Sequence, residues 1–434
     1  MSPLIRKFLF SAFVAIFILS GAIIISYSLG WKLDFDPPAG KFVFQKTGAL
    51  NVRTSPQNVI IKINGKIYPD QSGILQSGTL ISGLFPKTYK LEIEKLGYKS
   101  YSKDVSVEPA LVSKFLSIIL WPEKITPEII AQVKGTEIID SNKNGDKFVI
   151  KNIKTSTFYS YDLNNSSSTF NLTHALNDGL KNLTIKKIYF IPFKNSQFVA
   201  EDSSGLKILD TETGTTELIT KTPLLWTLEN SNVYFIKQSP VNEKVSSTKT
   251  FSIYSYNLIF KNSSQIVQLP QDIVVSSITS IKSSPSNDKV AFLENTGNLY
   301  IFDQNKIEKI SDSARIFEFS PDDKKIAFID KNNSLNIYFL ENDNLNSIKS
   351  SRDNDRINLE NKQNVSDIKW YGDSNHLIVS FKNETTIKLV EIDPRASINV
   401  YSVISDIENF YYNSDNNVFY FIKDSELNKL DFNN

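Results

Sequence analysis

The segment SSPSNDKVAFLE (Ser283–Glu294) lies without gaps on FSPDDKKIAFID (Phe319–Asp330), with Ser284 on Ser320, a repeat distance of 36 residues. Internal repetition of this kind limits the folds open to a chain, because each unit must bury its apolar surface against copies of itself. Looser copies are DIKWYGDSNHLIVSF (Asp367–Phe381), IENFYYNSDNNVFYFI (Ile407–Ile422), KIYFIPFKNSQFVAED (Lys187–Asp202) and GTEIIDSNKNGDKFVI (Gly135–Ile150). In each, two apolar-alternating arms flank a polar turn, the pattern of a β-hairpin. In FEFSPDDKKIAF, Pro321 presets φ for the turn, and Asp322 and Asp323 can bond its backbone. The copies carry Ser286-Asn287, Ser374 or Asn416 at that place, turn formers with no shared charge, so the acidic pair reads as a turn and not as a site.

Most copies are followed by another strand, such as NLYIFD at Asn298 or LNIYFLE at Leu335, and then by a short one, such as TTELIT at Thr215 or KIEKIS at Lys306. Three or four strands recurring at about 40 residues indicate a β-propeller. A single four-stranded sheet cannot bury both faces alone, whereas radial stacking of blades does so and leaves only short edges. Copies begin near residues 135, 185, 225, 278, 315, 365 and 407, so about seven blades are expected, with six or eight left open. The last copy has no fourth strand of its own, and PEIIAQVKG (Pro127–Gly135) is the expected donor that closes the ring. The hairpin pattern resembles that of TolB-like and WD40-like propellers.

The N-terminus has a different texture. From Phe8 to Leu29 the chain carries no charge over 22 residues. At about 1.5 Å rise per residue a helix of that length reaches roughly 33 Å, the thickness of a bilayer's hydrocarbon core. A secretory signal's apolar region is shorter, about 7–15 residues. An uncleaved anchor is therefore expected, with a cleaved signal as the alternative. Arg6 and Lys7 precede the span. The positive side thus lies N-terminal, which puts the following domains outside the cytoplasm. Tyr27 and Trp31 stand where an interfacial aromatic belt is expected.

Between anchor and repeats the chain is also β-rich. VIIKINGK places Val59, Ile61 and Ile63 on one face, and Asn64-Gly65 supplies a turn with positive φ at both central residues. Tyr89, Leu91 and Ile93 alternate, Gly97 interrupts, and Val105 and Val107 resume. The run Leu116, Ile118, Ile119 and Leu120 reads as a strand buried on both faces. Four features together resemble a PEGA domain: the opening strand ending at Ser55-Pro56, INGK at Ile63–Lys66, ISGLFPKTYKLEI at Ile81–Ile93 and LGYKSYSKDVSVEP at Leu96–Pro109. Lys87-Thr88 after Pro86 departs from the family, which usually has glycine there. The resemblance implies a small β-sandwich-like module of envelope proteins, acting in attachment or carbohydrate contact, and names no catalytic residue. Tyr98, Tyr101 and Trp121 are read as packing residues rather than as a sugar platform.

The fold class expected is thus all-β with one N-terminal transmembrane helix, a small PEGA-like β-sandwich and a β-propeller. The domains are 1–7 cytoplasmic, 8–29 transmembrane, 30–47 linker stiffened by Pro37 and Pro38, 48–122 PEGA-like and 123–434 propeller.

Candidate chemistry is sparse. The net charge is +1, from 48 basic and 47 acidic residues, which gives no ground for nucleic-acid binding. There is no cysteine, so disulfides, thiolate catalysis and cysteine-ligated metals are excluded. His174 and His376, the two histidines, lie in different repeats and suggest neither a triad nor a metal site. No G-x-S-x-G, phosphate-loop or dinucleotide motif occurs. DSNKNGD (Asp140–Asp146) matches the start of a calcium loop, but Lys151 stands at its twelfth position, where a bidentate Glu belongs, and Asn144-Gly145 is a natural tight turn. No catalytic, cofactor-binding or metal-ligating residue is therefore assigned, and no cofactor is implied. The expected role is a non-enzymatic envelope scaffold, with the membrane and an envelope protein or cell-surface glycan as partners. The alternatives are an enzyme with its active site in the propeller channel and a secreted carbohydrate-binding protein.

Overall fold

The structure, a computed structural model, describes residues 3–35, 42–73, 77–165, 169–173, 185–239, 250–345, 349–359, 364–382, 384–407 and 409–432. His174 lies outside them. The chain forms two compact units. One comprises Met1–Lys124 with the short excursions Asp343–Lys349 and Arg395–Asn399, and the other comprises the remainder.

The first unit opens with the helix Pro3–Ser28, none of whose residues is buried. By length and composition it suffices to cross a membrane. The stretch 30–47, read above as a linker, contains a two-stranded antiparallel hairpin, Trp31–Asp34 paired with Val43–Lys46. Two sheets follow. Gly48–Ser55 pairs with Thr79–Leu84 and, in parallel, with Val112–Ile119. The second sheet has the order Lys66–Pro69, Ile60–Ile63, Thr88–Glu94, Tyr101–Ser106. They enclose one core containing Leu50, Ile61, Leu91, Ile93, Val105 and Phe115, so the unit is a β-sandwich. Asn64 and Gly65 both take positive φ, 47° and 79°, as the turn requires. One expectation is corrected. Val112–Ile119 is an edge strand with one buried face: Phe115 and Ile118 are buried, but Leu116 and Ile119 only partly so. Tyr101 and Trp121 are each 2% exposed, so neither ring offers a face to a ligand.

The second unit is built of seven four-stranded antiparallel sheets. Six are consecutive meanders whose first strands are Glu137–Ser141, Lys187–Phe190, Leu225–Glu229, Ile278–Ser283, Ala314–Phe319 and Val365–Trp370. The seventh combines Asn409–Asn413, Val418–Lys423 and Glu426–Asp431 with Glu128–Gln132, which precedes the first blade in the chain. This is the expected donor strand. Second strands are buried on both faces, as in Lys325–Asp330 and Val290–Glu294, because each sheet packs between two others. Successive pairs share cores: Phe158 with Ile188 and Phe190, Val199 with Trp226 and Phe235, Ile236 with Phe292, and Ala291 with Phe317 and Phe328. The fifth and sixth blades meet where Trp370 Nε1 donates to Glu318 O at 3.1 Å, and the sixth and seventh where Gly372 N donates to Tyr412 OH at 3.0 Å. Phe148 and Ile150 of the first blade pack with Val418 and Tyr420 of the seventh, which completes the ring.

The hairpin turns stitch neighbours together. Ser320 Oγ accepts from Lys325 N at 2.9 Å and donates to Asp322 Oδ1 at 2.6 Å. Asp323, at φ 60°, accepts from Ser286 N of the preceding blade at 3.0 Å, and Asp322 N donates to Ser374 Oγ of the following one at 3.1 Å. The acidic knot is thus a turn, and it is also a clamp between three blades.

Candidate functional site

In the first strands of the fourth, fifth and sixth blades buried residues of the blade interfaces alternate with half-buried ones. Ile281 and Ser283 are buried whereas Ser280 and Lys282 are half-buried; Phe317 and Phe319 are buried whereas Ile316 and Glu318 are half-buried. Ile368 and Trp370 alternate with Asp367 and Lys369 in the same way. The half-buried set meets across blades. Lys282 Nζ lies 2.5 Å from Glu318 Oε2, and Lys369 Nζ lies 3.2 Å from the same oxygen, so one carboxylate bridges lysines from both neighbours. The Glu318 and Lys369 side chains are deep among protein atoms yet keep 22% and 39% of their surface. That combination suits the wall of the central channel that propellers enclose.

On another part of the ring, Asp140 accepts from Phe190 N at 2.8 Å, Tyr411 OH at 3.0 Å and Ser141 N at 2.9 Å. Lys187 donates to Trp226 O at 2.8 Å and lies over the Trp226 ring at 4.6 Å, while Trp226 Nε1 donates to Glu201 Oε2 at 2.7 Å.

These groups differ in charge state. Burial works to raise Glu318, but Lys282 and Lys369 outweigh it and hold this carboxylate below its usual range. Glu318 in turn raises Lys369. Burial lifts Asp140 to about 7, despite its three hydrogen bonds. It lifts Glu229 to about 7 as well, helped by the negative charges of Glu318, Asp323 and Asp415. Burial lowers Lys187 to about 8, with Glu201 opposing and Lys282 assisting the shift. At neutral pH the site therefore carries a fixed cation at Lys369, a fixed anion at Glu318 and, at Asp140 and Glu229, two carboxyls poised to exchange protons. Such a belt can hold an anionic or polyhydroxyl group, and Asp140 and Glu229 can give or take a proton.

None of these positions was singled out in the sequence as a site. A signal existed. Lys282, Glu318 and Lys369 each stand two residues before the turn residue of their repeat, Ser284, Ser320 or Tyr371, in strands whose neighbours are apolar. The DSNKNGD segment divides between turn and blade contacts. Asn142 Oδ1 accepts from Asp146 N at 3.1 Å and Lys147 N at 3.0 Å, closing the hairpin, while Asp140 is directed to Phe190 and Tyr411. Among the described residues no cluster has the makings of a metal site. His376 is 2% exposed and locks its own turn, Nδ1 standing 2.7 Å from Asp373 Oδ2.

No protein-family profile matches the chain, so the PEGA resemblance gains no support there, and no curated protein matches it. Among solved structures it is similar to the β-propeller domain of Cps50 (Swd1) from Myceliophteria thermophila, at 9% identity and TM-score 0.47, covering 70% of this chain and 99% of that one. It is also similar to an oligogalacturonate lyase in complex with manganese, at 12% identity and TM-score 0.47, covering 72% and 91%. An oligogalacturonate lyase from Vibrio parahaemolyticus matches at 10% identity and TM-score 0.45, covering 71% and 92%. The propeller assignment rests on the strand order and inter-blade cores above, and these likenesses carry nothing further.

Proposed function

We propose that the chain is a non-enzymatic, single-pass protein of the cell envelope, anchored by its N-terminal helix and presenting a PEGA-like sandwich and a β-propeller to a protein or cell-surface glycan. The observation that carries this reading is the helix Pro3–Ser28, uncharged from Phe8 onward, with no residue buried against the protein. A helix that is hydrophobic all round needs a non-aqueous surrounding. Arg6 and Lys7 before the span orient both β units outward. In intact cells, added protease is expected to digest both β units, and alkaline carbonate is expected to leave the full-length chain in the membrane pellet. A mature N-terminus near residue 30 would replace the anchor with a cleaved signal, and specific turnover of a glycan or peptide by purified protein would overturn the non-enzymatic role.

One observation favours a second reading, an enzyme in the channel. Asp140 and Glu229 are held near 7 while Glu318 stays ionised, and carboxyls driven apart in this way suit acid and base roles. The test is cleavage of acidic oligosaccharides by the wild type and its loss in Asp140→Asn and Glu229→Gln. Absence of cleavage by the wild type removes this reading.

A further inference from the structure

The hairpin between the helix and the sandwich has two unlike faces. Its register opposes Trp31 to Lys46, Leu33 to Phe44 and Asp34 to Val43. Side chains alternate along each strand, so Trp31, Leu33 and Phe44 share one face with Lys46 at its end. Phe35 and Phe42, just past the last pair, are each 71% exposed and meet edge to face at 5.5 Å. Trp31 stacks on Phe44 at 5.1 Å. The other face is polar: Asp34 is 5% exposed and accepts from Gln45 Nε2 at 3.1 Å.

The aromatic face continues the surface of the helix. Only Leu29 and Gly30 separate helix from hairpin, and both hairpin strands are tied to that junction. Gly30 N donates to Tyr27 O at 3.0 Å, and Thr47 N donates to Gly30 O at 2.8 Å. A groove of about 480 Å³ runs between the two elements, walled by Leu19, Ile23 and Tyr27 of the helix and by Trp31, Leu33 and Phe44 of the hairpin. Lys32 Nζ lies over Tyr27 at 5.3 Å and Lys46 Nζ over Trp31 at 5.8 Å. A contiguous exposed aromatic patch of this kind marks an interaction surface.

We infer that the hairpin is a second membrane contact, its aromatic face lying in the headgroup and upper acyl region of the bilayer that the helix spans. The inference rests on the anchor reading of the helix. A bilayer that holds the helix to Ser28 brings Trp31 to its boundary, since only two residues intervene. Rings of Trp and Phe beside lysines suit that layer, where one side is apolar and the other is charged and wet. The groove then takes an acyl chain, and Lys46, at the end of the aromatic face, meets lipid phosphates.

The chain contains no cysteine, so single cysteines can be labelled cleanly in the full-length protein. The test places a polarity-sensitive fluorophore on Leu33→Cys, Phe35→Cys, Phe42→Cys and, in the helix, Ile16→Cys. Leu96→Cys is the control, fully exposed and next to Lys95, which bonds Gln57 O at the end of the sandwich remote from Gly48. Proteins are reconstituted into mixed phosphatidylcholine and phosphatidylglycerol vesicles carrying spin-labelled lipids, shallow or deep. Labels at 33, 35 and 42 are expected to shift to the blue and lose emission to the shallow quencher, and the label at 16 to the deep one, with 96 unaffected. Because 35 and 42 lie outside the paired register, they report even where Leu33→Cys disturbs the hairpin. Quenching at 16 without quenching at 35 and 42 overturns the hairpin contact and leaves the anchor standing. Quenching at 35 and 42 but not at 16 overturns the span and retains the hairpin as a surface contact. Quenching at 96 equal to that at 35 overturns the specific contact.

Discussion

The sandwich and the propeller bury their strands differently. In the sandwich such strands as Tyr101–Ser106 and Thr88–Glu94 have one dry face and one wet: the former alternates buried and exposed without a fault, and the latter nearly so. In the ring second strands are dry on both faces, with all six residues of Lys325–Asp330 buried. The sandwich therefore holds one core between its own two sheets, whereas no blade owns a core, and each apolar cluster belongs to two neighbours. The lesson concerns polar residues. On most sandwich strands a polar residue marks the solvent side, although Lys103, 1% exposed, lies on the dry face of Tyr101–Ser106. On the first strand of a blade a half-buried charge joins the neighbouring blades, as Glu318 and Lys369 do.

This contrast can be broken experimentally, and the largest effects come from the cores. Phe292→Ala, at the interface of the third and fourth blades, is expected to cost about 3–5 kcal/mol and to lower the unfolding of the whole ring while the sandwich transition stays in place. Leu91→Ala is expected to cost about 2–5 kcal/mol in the sandwich transition alone. Calorimetry of the two variants checks both, and a shift of both transitions by either one would erase the distinction.

Next in size is the belt. Glu318→Gln leaves Lys282 and Lys369 without their carboxylate and is expected to cost about 2–3 kcal/mol in urea titration, less than for a dry ion pair because all three side chains stay partly exposed. Replacing both lysines by Met in the same background should recover most of it.

The third effect is a pH slope. Asp140 and Glu229 keep their protons to about pH 7 in the folded chain, whereas in the unfolded chain they release them at about 4. Between these values the folded state binds more protons, so their contribution to stability falls as pH rises, and it is level above 7. Each group is expected to contribute roughly 1 kcal/mol after allowance for its partial exposure. Comparison of wild type with Asp140→Asn/Glu229→Gln isolates it, because other carboxylates are common to both proteins: the variant should gain on the wild type from pH 4 to 7. A parallel pair of curves would place these groups in free solvent.

The smallest is the clamp. Asp323→Asn keeps a residue that tolerates positive φ and an acceptor for Ser286 N, and is expected to cost about 0.5 kcal/mol or less in chemical denaturation.

Much of this architecture could be read from the chain. Repetition located every blade, since the copies expected near 135, 185, 225, 278, 315, 365 and 407 each lie within two residues of an observed first strand. The closing strand was readable because the last copy was one strand short. The hairpin of 30–47 was not, because Pro37-Pro38 and the glycines spoke for a spacer while Trp31, Leu33 and Phe35 already alternated. Val112–Ile119 was misjudged because a run of apolar residues does not say how many faces are covered. The belt was least legible. Lys282, Glu318 and Lys369 are 36 and 51 residues apart, and only the packing of successive blades makes them neighbours. A charge inside a strand is a local fact, while the charges it meets depend on how the blades pack.

The channel depends on the ring being shut by a strand from its N-terminal side. The most direct measurement is a crosslink across that seam. Glu128 and Lys429 are register partners on the surface, and facing residues in an antiparallel pair bring their Cα atoms within disulfide range. In the cysteine-free chain, Glu128→Cys/Lys429→Cys is expected to form an intramolecular disulfide on mild oxidation, seen as faster migration on a non-reducing gel and as a single linked peptide by mass spectrometry. A pairing of Glu128→Cys with Lys306→Cys, on the outer strand of the fourth blade, should stay reduced. Failure of the first pair to close within one chain, or equal closure of the second, would contradict the ring and with it the channel.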